Sequence, residues 1–132
     1  MGHSFVKYDE RFIRLNDRAI EDAFYFMVER MHALDICSEV AEMLKSYFNQ
    51  IEFCGPGMME FQLKPKSGSD KAKKDLLVVI DAAIAKTISF GKFIPKEYFQ
   101  LLGKSNFYVD NDVAIKYALD ALNGIKSIVT SE

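Results

Sequence analysis

Glu29-Arg30-Met31-His32 has the Glu-x-x-His spacing, which on a helix sets both side chains on one face. Carboxylate-bridged di-iron bundles use that arrangement, but they need two such motifs and further carboxylates. The other histidine, His3, has no partner of that kind, so His32 reads as a surface residue. Cys37 could act as a nucleophile with His32 as its base. Five residues apart on one helix, however, the two point about 140° away from each other unless the chain breaks between them. Cys54 stands beside a turn with no acid or base partner that the sequence reveals. With no Cys-x-x-Cys and two distant histidines, the sequence does not point to zinc. Asp110 and Asp112 resemble a fragment of a calcium loop, but the glycine and distal glutamate that complete one do not follow, so they read as helix caps. Gly55-Pro56-Gly57 leads into a strand rather than a helix, and Gly68-Ser69-Asp70-Lys71 lacks the spacing of a phosphate loop. Asp81, inside a strongly apolar stretch, is the carboxylate most exposed to an unusual environment; a lysine or a backbone donor beside it is the expected partner. No catalytic, metal or cofactor constellation emerges, and we expect a non-enzymatic protein.

These residues ride on recognisable elements. From Asp17 to Asn49, Ile20, Phe24, Met27, Met31, Leu34, Ala41, Leu44 and Phe48 recur at helical spacing, with Asn16 as cap and Asp17 in the first turn. A straight helix of that length would span about 50 Å, longer than a compact chain of this size. A break is expected at Asp35-Ile36-Cys37-Ser38, where four residues of modest helix propensity follow one another. Residues 1–10 read as a loose lead-in and Arg11–Leu15 as a short edge strand. Ile51–Cys54 and Met58–Leu63 flank the Gly-Pro-Gly turn and suggest a β-hairpin over about 51–63. Lys64–Lys74 reads as a lysine-rich loop. Asp75–Ser89 is apolar on nearly every side and is expected to be the buried central helix. Pro95–Leu102 suggests a short helix, Ser105–Val109 a third strand, and Asp110-Asn111-Asp112 the cap of a last helix carrying Ile115, Ala118, Leu122, Ile125 and Val129. The expected fold is a single helix-dominated α+β domain over 1–132: three to five helices around residues 75–89, with a small hairpin.

Composition narrows the functional class. Apolar residues make up 49% and charged residues 27%, which argues against disorder; a net charge of −2 argues against a generally basic nucleic-acid binder. The start of the chain shows no secretory pattern, no apolar run is long enough to span a membrane, and two cysteines make no disulfide framework. A cytoplasmic protein with reduced thiols is expected. The charges are segregated: residues 9–60 carry eleven acids against five Lys/Arg, and residues 64–104 nine Lys/Arg against four acids. Glu21, Asp22 and Glu29 around Tyr25 suggest a face that meets a basic protein partner, with the ring as anchor. In size, mild acidity, lack of a site and this acidic face, the chain resembles the small bacterial immunity proteins that neutralise toxins, such as those of contact-dependent growth inhibition systems. The resemblance implies binding and blocking a cognate toxin domain, for instance a nuclease. Two alternatives stand beside it: a nucleic-acid or phosphate binder using Lys64, Lys66, Lys71, Lys73 and Lys74, and a small enzyme or ligand-binding domain assembled from residues such as Asp81, Tyr98 and Tyr108.

Overall fold

The computed structural model describes residues 2–54, 59–100 and 113–130. It is a helix-dominated α+β fold, as the sequence predicts. Strands β1 (His3–Tyr8) and β2 (Arg11–Asn16) lead into helix α1 (Asp17–Met31), followed by α2 (Ser38–Cys54), β3 (Glu60–Gln62) and α3 (Asp70–Ser89). Strand β4 (Phe93–Ile94), a 3₁₀ turn (Lys96–Gln100), β5 (Val113–Ala114) and α4 (Ile115–Thr130) complete the order.

The hairpin is not where the sequence suggested. Ile51–Cys54 is the last turn of α2, and the hairpin is formed instead by β1 and β2, from residues read as a lead-in. Leu44, Phe48 and Ile51 are buried at steps of four and three, so helical packing outweighs the strand preference of a short apolar run. The two-residue turn is made by Asp9, at φ 59°, and Glu10. Asp tolerates that left-handed conformation better than most residues, and its N–H and C=O are both held by the Gln62 side-chain amide. β3 pairs with β1 in parallel, giving the order β2-β1-β3, while β4 and β5 form a separate two-stranded ladder. The expected turn at 55–57, strand at 105–109 and cap at 110–112 lie outside the described residues.

The expected break in the long helix is present. α1 ends at Met31 and α2 begins at Ser38. Asp75 on α3 fixes the break, its carboxylate accepting from the Cys37 N–H at 2.8 Å and from Lys71 Nζ at 2.9 Å. Those bonds hold the Asp75 carboxyl below its usual range.

The central helix is α1, not residues 75–89. Residues 22–28 of α1 are all buried, because the run Ala23-Phe24-Tyr25-Phe26-Met27-Val28 is apolar all round and packs against α2, α3, α4 and the sheet. α3 starts five residues earlier than expected, at Asp70, with Ser69 Oγ capping the Ala72 N–H. It buries one stripe, Leu76, Val79, Ile80 and Ala83, and leaves Val78 and Ile88 exposed. α4 buries Ala118, Leu122, Ile125 and Val129. Gly124 lets it descend onto the sheet, where a Cβ would run into Ile13 Cδ1.

Candidate functional site

Two of the four residues of the face proposed for α1, Asp22 and Tyr25, are interior, and Glu21 and Glu29 are half-buried. Tyr25 is fully buried, its ring against Phe48, Tyr98 and Phe99 and its hydroxyl donating to the Tyr98 carbonyl at 2.5 Å. Asp22 is fully buried beside Arg18, whose Nε donates at 2.9 Å, and burial pushes the Asp22 carboxyl up to about 7 against the pull of Arg18. Glu29 takes both hydrogen bonds of the Arg30 fork, at 2.8 and 2.6 Å, and one from the Tyr98 hydroxyl at 2.6 Å. Burial works against ionisation of Glu29, but those donors prevail and hold its carboxyl below the usual range. Glu21 is half-buried, and burial raises its carboxyl. Tyr25 and Glu29 therefore clamp the 3₁₀ turn onto α1. A surface anchor ringed by acids does not exist at this place, because the segment around Tyr98 and Phe99 covers a face that helical periodicity alone leaves open.

The other candidates stand apart from one another. His32 is exposed and Glu29 is engaged by Arg30 and Tyr98. Among the described residues no cluster of three or more His, Cys, Asp or Glu side chains could hold a metal ion. Asp81 is exposed and paired with Lys126 of α4 at 2.7 Å, the lysine partner expected for it, while Tyr98 is buried against α1. Tyr108 lies outside the described residues. The basic segment is partly committed within the fold: Lys64 pairs with Asp9 at 3.2 Å, Lys71 with Asp75, and Lys73 sits 5.8 Å from the Tyr8 ring centroid.

A trough runs along α2. On one side, a groove of about 670 Å³ runs between α2 and the segment after β3, with Met43, Tyr47 and Pro65 among its walls. Charged side chains rim it: Glu39 and Glu42 from the helix, Lys64 and Lys66 from the facing segment. Tyr47 fixes the spacing of the walls, since its hydroxyl accepts from the Gln62 N–H at 3.1 Å and donates to the Gln62 carbonyl at 2.9 Å. Glu39 bridges the far end by accepting from the Ser67 hydroxyl and N–H, which keep its carboxylate ionised. Glu42 and Ser46 are shared with a second, shallower depression that ends at Phe53. Phe53 is 84% exposed. The signal for it was present in the sequence: if α2 continues past Asn49, Phe53 falls about 140° from Phe48, off the buried stripe. Assigning 51–54 to a strand hid it.

No protein-family model matches the chain, and comparison with curated proteins and with solved structures returned no match. Among the described residues, no helix is long and apolar enough to cross a membrane.

Proposed function

We propose that the protein is a protein-binding module that docks through α2, with Phe53 as the anchor and Glu39 and Glu42 as its charged rim. The observation that carries this is Phe53 itself, a phenylalanine 84% exposed at the end of a groove-bearing helix face. Leaving that ring in water costs free energy that a recess on a partner recovers, and aromatic anchors ringed by polar contacts dominate binding energies. The partner this face fits carries an apolar recess next to basic side chains. In its sharper form the reading is an immunity protein that holds a toxin domain inactive by covering its basic surface; a nuclease, which must be positive to bind phosphates, suits that mode.

The test begins with capture of a partner from native extract by the tagged protein. Binding kinetics then compare the original chain with Phe53→Ala, Glu42→Lys and a control, Val78→Ala, exposed on α3. Phe53→Ala should speed dissociation by about tenfold or more, Glu42→Lys should slow association, and the control should do neither. The immunity reading further requires that co-expression rescue cells from the captured partner's toxicity, and that Phe53→Ala lose the rescue. Unchanged binding by both trough variants would place the interface elsewhere.

A further inference from the structure

β2 lies at the edge of its sheet. The Asp17 N–H donates to the Gly2 carbonyl at 3.1 Å, and the antiparallel register runs from His3↔Asn16 to Tyr8↔Arg11. In such a ladder, pairs that exchange both backbone bonds alternate with pairs that exchange none. Counting in twos from Gly2 and Asp17, the backbone groups of Arg11, Ile13 and Leu15 face β1, and those of Phe12 and Arg14 point outward. Among the described residues no strand pairs with that outer side. Phe12 is 61% exposed, and Arg14 is exposed and belongs to none of the ion pairs among the described residues.

We propose that β2 is the edge through which two copies of this chain pair, antiparallel about a two-fold axis at Ile13. Open edges are commonly guarded by charge, and two arginines on one strand repel a second copy in most registers. The register centred on Ile13 avoids this. It sets Phe12 of each copy opposite Arg14 of the other, so that the symmetry makes the ring–guanidinium pair twice. Glu10 comes diagonal to the opposing Arg14 and supplies the opposite charge. Arg11 falls opposite Leu15, and its guanidinium is already held by the Ile128 carbonyl of its own copy at 2.6 Å. Moving the centre toward Arg14 would oppose Arg14 to itself. Moving it toward Phe12 would set Arg14 opposite Glu10, but it would face Phe12 with itself, forfeit both ring–guanidinium pairs and shorten the overlap. The face alternates an aromatic and a cation that are each other's natural partners, so a second copy completes it without any other chemistry. An interface of one edge strand is small, and the pairing is expected to be weak.

Sedimentation velocity on the full chain, from about 1 to several hundred micromolar, reads the equilibrium directly. The original protein should shift from monomer to dimer across that range. Arg14→Pro removes an N–H that does not bond β1, so it should stay monomeric with unchanged circular dichroism. Substitutions at exposed Phe12 test the register even if the proline variant fails to fold. Phe12→Glu, opposite Arg14, should tighten the dimer several-fold at low salt and lose that gain at high salt, whereas Phe12→Lys should weaken it. Phe53→Ala, on α2, should leave the dimer unchanged. A chain that is monomeric throughout, a folded Arg14→Pro variant that still dimerises, or weakening by both Phe12 variants alike would overturn the proposal.

Discussion

Asp22 is a carboxyl in a place that disfavours its charge. Its side chain is fully buried, Arg18 reaches one carboxylate oxygen, and the other oxygen has no hydrogen-bond partner. Burial raises the carboxyl from its ordinary 3.8 to about 7, although Arg18 pulls the other way. Between those values the folded chain holds a proton that the unfolded chain has released. Stability contributed here is therefore full below the unfolded value and is lost as pH rises toward 7, at about 1.4 kcal/mol per pH unit. Asp75, Glu29 and Glu39 act in the opposite sense: hydrogen bonds lower their carboxyls, so what they contribute is lost on acidification. Asp22→Asn isolates the first effect. Its stability relative to the original chain should fall by on the order of 2 kcal/mol or more between pH 8 and pH 5, measured by urea denaturation at each pH. A difference independent of pH would show that Asp22 is ionised throughout.

At the scale of elements, the exchange of α3 for α1 as the central helix has a direct consequence. Phe24 is fully buried against Tyr47 and Phe61, so Phe24→Ala should cost about 3–5 kcal/mol. Ile84, which helical periodicity placed at the heart of the fold, is only half-buried, and Ile84→Ala should cost about 1–2 kcal/mol. Chemical denaturation of the two variants side by side decides between the helices; equal losses would restore α3 to the centre. The order of costs follows from layering. α1 has helices and a sheet around it, whereas α3 keeps one flank in solvent, where Val78 and Ile88 stand.

Across the whole molecule, charge separates along the chain but is partly neutralised in space. Lys64 and Lys71 meet Asp9 and Asp75, the latter from the same helix, and Lys126 meets Asp81 across the α3–α4 seam. Lys64 and Lys71 are thus committed within the fold, while Lys71, Lys73 and Lys74 line one shallow depression at the start of α3. Filter binding to RNA and DNA at 50 and 200 mM salt should show only weak retention, and replacing Lys73 and Lys74 by Ser should leave it nearly unchanged. A nucleic-acid binder would instead lose orders of magnitude between the two salt concentrations, with a shallower slope in the variant. Lys71→Ser differs from its neighbours. It strips one partner from the carboxylate that holds the α1–α2 break, and it should lower stability slightly, an effect that salt reduces.

What the sequence determined by itself is local. Periodicity and capping identified α1, the break before Ser38, the strand at β2, the end of α3 at Ser89 and the last helix, because each depends on residues within a turn or two of one another. The helix-dominated α+β class follows from those pieces. The tertiary structure decided everything that turns on which face is covered. Glu21, Asp22, Tyr25 and Glu29 carry the spacing of a solvent stripe, yet the 3₁₀ turn around Tyr98, more than seventy residues from Tyr25 in sequence, closes over Tyr25 and Glu29. Phe53 has the type of a core residue and stands in water. Residues 3–8 look featureless alone and become the middle strand of a sheet once β2 and β3 flank them. Burial is a property of what arrives from elsewhere in the chain, and a periodic pattern records only that a helix has two faces, not which of them a distant segment will cover.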